Sequence, residues 1–169
     1  KMLRLPDTAG MRNEIIIQKL QRNKYDGAFR GAGAKLVEIG SESDATIDDL
    51  ESVIGPNTAA VAFVWVMRSN GLSLEDVIET AHSQGVPVIL DAAADLPPVD
   101  NLTRFISMGA DMVAFSGGKG VRGPQSTGIL VGRRDLIEAA MEHSRSGKTT
   151  ATVGRPMKVC KEEIVGLVA

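Results

Sequence analysis

Apolar residues fall along the chain in short blocks separated by polar stretches of helical period. "EIIIQ" (14–18), "KLVEI" (35–39), "AAVAFVWV" (59–66), "VPVIL" (86–90), "DMVAF" (111–115) and "GILVG" (128–132) have the length of strands. Helical patterns lie between them: "YDGAFRGAG" (25–33) closing on glycine, "DATIDDLESVIG" (44–55), "SLEDVIETAHSQG" (73–85), "NLTRFISMG" (101–109) and "RRDLIEAAMEH" (133–143). The second has an acidic first turn and sets Ile47, Leu50 and Ile54 on one face. The third opens on Ser73 as N-cap, with Asp76 three residues on, and stops at Gly85. Strands alternating with helices predict βαβ units and a mainly parallel sheet covered on its faces. "VPVIL" is apolar on both faces, as a central parallel strand must be. One join differs: residues 116–127 carry no helical pattern, so "GILVG" is expected to run antiparallel to its neighbour.

Composition narrows the function classes. The chain has 169 residues, 43% hydrophobic and 24% charged, with a net charge of -2, the balance of an ordinary globular domain. That charge gives no footprint for nucleic acid or an anionic membrane. No apolar run is long enough to span a bilayer. One cysteine, Cys160, excludes a disulfide framework and a cysteine metal cluster and fits a cytoplasmic setting; no metal site is expected. The start at Lys1 and the uncapped "KEEIVGLVA" end read as a piece of a larger protein. Residues 144–158 read as a linker.

Candidate chemistry lies at the strand ends, where open α/β sheets bind ligands. Asp91 follows "VPVIL" and opens "DAAADLPP"; Lys119 sits in "FSGGKGVRGPQSTG" (115–128), beyond "DMVAF". They are one βαβ step apart and are expected to face each other over one sheet edge. A lysine beside a carboxylate suits pyridoxal phosphate: the lysine forms a Schiff base and the acid keeps the pyridine nitrogen protonated. The surrounding glycines would let the backbone approach the cofactor and the lysine swing. Ser116 could donate to a phosphate, and Arg122 could supply charge to a phosphate or carboxylate. Ala92, Ala93 and Ala94 leave room for a flat ring. The plain alternatives are a solvated loop lysine at 119 and an Asx turn at Asp91.

"VPVILDAAADLPP" and "ADMVAFSGGKGVRGPQSTGILVGRRDLI", with the earlier "LPDTAGMRNEIIIQKLQRNKYDGAFRGAGAKLVEIG", resemble the selenocysteine synthase-like branch of fold type I pyridoxal phosphate enzymes. That branch holds seryl-tRNA selenium transferases and D-glucosaminate-6-phosphate ammonia-lyases. The resemblance implies a three-layer αβα large domain of the aspartate aminotransferase-like fold, its sheet mostly parallel with one antiparallel strand. Residues 1–144 would be part of that domain, and 145–169 a linker and the start of the C-terminal small domain. It implies pyridoxal 5'-phosphate as cofactor, with Lys119 as the Schiff-base lysine and Asp91 as partner of the pyridine nitrogen. Ala93 would lie near the ring and Ser116 near the phosphate. Two departures from the branch stand out. The upstream phosphate loop would precede residue 1, and relatives often carry a histidine before the "RN" of "RNKYD", where it can stack on the ring. Here that cofactor-side position is Gln21.

"RGPQSTG" and "GRPMKVCKEEIVGL" look closer to the ammonia-lyases. The expected reaction is then α,β-elimination on a small amino acid or amino sugar acid, with Arg122, Arg155 and Lys158 as candidates to hold an anionic substrate. A transferase on seryl-tRNA and a non-catalytic relative are the alternatives. The resemblance also implies a homo-oligomer. "SGKTT" (146–150) lacks the upstream glycine and preceding strand of a phosphate loop. Cys160 is expected to be a buried or half-buried small residue, Trp65 to lie in the core, and His82 and His143 to lie on the surface.

Overall fold

The computed structural model describes residues 4–144 and 153–169. Its strands are β1 (Glu14–Gln18), β2 (Lys35–Ile39), β3 (Thr58–Val64), β4 (Val88–Asp91), β5 (Met112–Ser116) and β6 (Gly128–Gly132), in the order β2-β1-β3-β4-β5-β6. The helices are α1 (Gly27–Gly31), α2 (Ile47–Val53), α3 (Leu74–Ser83), α4 (Asn101–Ser107), α5 (Arg134–Ser144) and α6 (Lys161–Val168). The fold is mixed α/β. The chain divides into two compact units, Lys1–Ile89 and Leu90–Ala169.

In the first unit, β1 pairs in parallel with β2 on one side and β3 on the other. Ile15, Ile16 and Ile17 alternate between the two sheet faces and all are buried, so both faces are covered, as a parallel sheet requires. Ile15 and Ile17 join Ala60, Ala62 and Val64 in one apolar cluster. The two longer helix patterns begin where their caps say. The Thr46 and Ser73 hydroxyls accept the N–H groups of Asp49 and Asp76, and each aspartate accepts back from its cap residue. Each bond satisfies a donor that has no partner within the helix. Of the three apolar residues expected on one face of α2, Leu50 is buried and Ile47 is 43% exposed, while Ile54 lies just past the helix.

β3 ends earlier than its apolar run suggests. Residues Trp65–Met67 form a 3-10 turn, and the Val64 N–H donates to Gln21 Oε1 (2.8 Å) instead of to a strand. Trp65 is half-exposed, with the Arg68 guanidinium 4.4 Å over its ring, so it is not the core residue expected.

In the second unit, β5 and β6 are antiparallel in the register Met112↔Gly132 to Ser116↔Gly128, as the missing crossover helix predicts. Phe115 stacks on Phe105 of α4 at 6.2 Å. Arg133 ties the far end of this pair together. Its N–H and guanidinium bond the backbone and carboxylate of buried Asp111 (2.8 and 2.9 Å), and it also holds Asp135. Those two carboxylates push the Arg133 pKa up. Among the described residues, no helix is long and apolar enough to cross a membrane.

Candidate active site

The second unit holds Asp91, Ala93, Ser116 and Lys119. Asp91 is the last residue of β4 and is half-buried. Its Oδ1 accepts the Ala93 N–H at 3.0 Å, the Asx-turn bond that is the plain alternative for this residue. The Ala92 N–H then donates to Ala114 O (3.0 Å) and the Ser116 N–H to Ala93 O (3.2 Å). These two bonds set the ends of β4 and β5 side by side. A carboxylate and a hydroxyl therefore lie on neighbouring strand ends, and the Lys119 amine follows three residues later. Lys119 is exposed rather than buried.

The loop that carries Lys119 is tied across its neck. The Gly123 N–H donates to Gly117 O (2.8 Å), the Gly117 N–H to Thr127 O (2.9 Å), and the Arg122 N–H to Lys119 O (2.9 Å). The last bond closes a tight turn at the tip. Arg122 sits there in the left-handed region, φ 62°, a backbone state that costs a non-glycine residue on the order of 1 kcal/mol. No glycine of this loop is among those with positive φ, which are Gly10, Gly33, Gly40, Gly71, Gly85 and Gly109. The loop glycines serve close packing instead. A Cβ on Gly117 would collide with Thr127 Oγ1, one on Gly118 would lie 2.6–2.7 Å from Gln125, and one on Gly120 would collide with Leu96 O. At these positions the side-chain direction is filled by the protein itself.

The partners in that packing were not singled out in the sequence. Gln125 donates through Nε2 to Gly118 O (2.9 Å), and buried Thr127 donates to Pro124 O (2.6 Å). Both lie inside "GPQSTG", where the glycines drew attention and the polar residues between them did not. Arg155 and Lys158 are exposed, at the first residue and just past the end of a 3-10 turn (Arg155–Met157). Cys160 is exposed, against the expected burial. His82 is exposed and His143 half-buried. "SGKTT" lies outside the described residues.

Gln21, in the first unit, is fully buried. Its Oε1 is committed to Val64 N–H, and its Nε2 has no hydrogen-bond partner among the described residues.

Three relatives frame this geometry. The chain is 36% identical to the D-glucosaminate-6-phosphate ammonia lyase of Salmonella typhimurium, over 97% of this chain and 43% of that protein. It is 34% identical to a 5'-C-glycyluridine monooxygenase-decarboxylase of Streptomyces sp, over 99% and 41%. It is also 34% identical to the L-seryl-tRNA(Sec) selenium transferase of Moorella thermoacetica, over 77% and 32%. The chain thus spans less than half the length of each. A solved structure of D-glucosaminate-6-phosphate ammonia-lyase superposes with a TM-score of 0.85 at 35% identity, over 98% of this chain and 44% of that one. Residues 24–164, which include Asp91, Ser116 and Lys119, match the model of one enzyme family, and on that match the chain belongs to aminotransferase class-V.

Proposed function

We propose that the protein is a pyridoxal phosphate-dependent lyase that removes ammonia from an anionic amino sugar acid, of the kind named for its D-glucosaminate-6-phosphate ammonia lyase relative. The observation that carries this is the Ser116 N–H to Ala93 O bond. It aligns the β4 and β5 ends so that one edge offers an acid, a hydroxyl and, three residues on, an amine. The donor set fits the cofactor. Asp91 offers a carboxylate to a ring nitrogen, Ser116 a hydroxyl to a phosphate, and Lys119 an amine that can bond a carbonyl carbon. Ala93, bonded through its backbone to both Asp91 and Ser116, carries only a methyl group beside a flat ring.

When bound, pyridoxal phosphate supplies an electron sink for the charge left at the substrate α-carbon. The chain's own residues do the rest. Lys119 would take the α-proton at its Nζ and pass it to the departing β-hydroxyl, which leaves as water; the β-carbon then takes a proton from solvent, and water added at the α-carbon displaces ammonia, so the net loss is ammonia. Asp91 would offer its carboxylate to the ring nitrogen. Arg122 is exposed at the tip of the same turn as Lys119, where its guanidinium can meet the substrate's negative charge; Arg155 and Lys158 are further cations for that role. A homo-oligomer, implied by the resemblance, and a cytoplasmic setting, which the single cysteine fits, are part of the same reading.

The test is chemical. The protein is incubated with pyridoxal phosphate, its absorption spectrum recorded, the adduct reduced with borohydride, and the modified peptide mapped by mass. D-glucosaminate 6-phosphate is then supplied and ammonia measured. Label at Lys119 with ammonia release is expected. No label in folded protein sinks the cofactor reading, and label without ammonia sinks the substrate.

A further inference from the structure

The helix α6 is far from Lys119 in sequence, yet in the second unit it packs on the loop that carries this lysine. Three contacts make the joint. Leu167 Cδ1 enters the neck of the loop: a Cβ on Gly117 would lie 2.8 Å from it, and one on Gly123 3.0 Å. These are the two residues joined by the Gly123 N–H to Gly117 O bond. Gly166 packs against Pro124, where a Cβ would stand 3.2 Å from Pro124 Cγ. Glu163 accepts the Ser126 hydroxyl on Oε1 and the Cys160 N–H on Oε2 (2.9 Å), so one carboxylate ties the start of the helix to the loop.

We propose that α6 is a clamp on the Lys119 loop, with Leu167 and Glu163 as positioning residues that fix the Lys119 amine. The physical case is one of entropy. The twelve-residue stretch 116–127, with four glycines, loses much conformational freedom on ordering, and it carries a left-handed Arg122 besides. The bonds within the loop hold its neck. Beside Thr127, Leu167 fills volume that side-chain-free Gly117 and Gly123 leave there, so removing it takes away part of the surface against which the neck closes. The Glu163–Ser126 bond fixes the outgoing arm one residue before Thr127, whose carbonyl accepts from Gly117. In this arrangement the glycines admit the helix. The part of the inference that concerns Lys119 reactivity rests on the function proposed above; the clamp itself does not.

The experiment compares the unaltered protein with Leu167→Ala, Leu167→Met and Glu163→Gln. Hydrogen exchange is followed on peptides covering 116–127, with the β1 strand as reference, and the rate of pyridoxal phosphate attachment to Lys119 is followed against pH. Leu167→Ala is expected to speed exchange at Gly117 and Gly123 by about tenfold or more and leave β1 unchanged, because only a local opening is made easier. It should also displace the pH profile of attachment, and Leu167→Met should restore both. Glu163→Gln should loosen the outgoing arm with a smaller effect at the neck. Unchanged exchange in Leu167→Ala overturns the clamp, and so does a rise spread evenly over β1 and the loop. If the loop loosens but cofactor never attaches to the unaltered protein, the clamp stands and the function falls. If cofactor attaches at Lys119 and the variant's loop does not loosen, the reverse holds.

Discussion

Asp91 and Gln21 each use one oxygen to satisfy the backbone, and this separates their structural work from any other. Asp91 Oδ1 accepts from Ala93 N–H. Asparagine keeps that acceptor and loses only the charge. Asp91→Asn should therefore leave stability within about 0.5 kcal/mol, while ammonia release falls on the order of a hundredfold, the usual loss when one charge-stabilising group is removed. Urea unfolding and kcat measured side by side decide it; unchanged kcat would remove Asp91 from the chemistry. Gln21 Oε1 accepts from Val64 N–H. Gln21→Met fills the same space without an acceptor and strands a buried donor, so a loss of about 1–3 kcal/mol is expected in urea unfolding. A loss near zero would mean that β3 does not need this cap. Asp91 and Lys119 stand out in the sequence as candidates because charged residues are conspicuous where apolar strands end. The work of Gln21 could not: its partner is 43 residues away, and nothing local to "KLQRN" points to it.

The elements themselves were largely legible, because each is specified by its own period and punctuation. α3 begins at the residue after Ser73 and stops before Gly85, and the antiparallel β6 follows from a loop too irregular for a crossover. Where the reading failed, a distant residue had intervened, as where Gln21 stops β3 short of Trp65. The packing role of the glycines of "SGGKGVRGPQSTG" was hidden for the same reason. Locally a glycine signals freedom, whereas here it is demanded by Thr127, Gln125, Leu96 and Leu167. The caps make a pH prediction at this scale. The Thr46 hydroxyl and N–H hold Asp49 below its ordinary pKa of 3.8, and Ser126 with the Cys160 N–H holds Glu163 below its ordinary 4.5. A carboxylate whose folded pKa is lowered contributes stability that is present above the unfolded pKa and lost as pH falls through the folded one. Amides at the starts of α2 and α6 should thus exchange at an unchanged intrinsic protection from neutral pH down to about 5, then lose protection below the ordinary values. Protection that already declines between pH 7 and 5 would mean that these carboxylates do not hold the helix starts.

For the whole molecule the open choice is between small-molecule and tRNA substrates, since relatives of both kinds are similar to this chain. Charge bears on it directly. The chain carries 19 Lys and Arg against 21 Asp and Glu. A protein that grips tRNA neutralises several phosphates and releases their counterions, so its affinity falls steeply with salt. The chain carries no excess of cations for that, and the exposed cations proposed to meet a substrate are Arg122, Arg155 and Lys158. Those suffice for one or two anionic groups of a sugar acid phosphate. The expected result in a filter-binding titration with seryl-tRNA is no retention near physiological salt and only a shallow dependence below it. A log–log slope of about -3 or steeper would correspond to roughly four neutralised phosphates, more than those three cations supply, and would turn the assignment toward a transferase on aminoacyl-tRNA. The same titration with D-glucosaminate 6-phosphate as competitor ties the two readings together: a small acid that displaces tRNA would place both in one site, and one that does not would leave the sugar acid with the site built around Asp91 and Lys119.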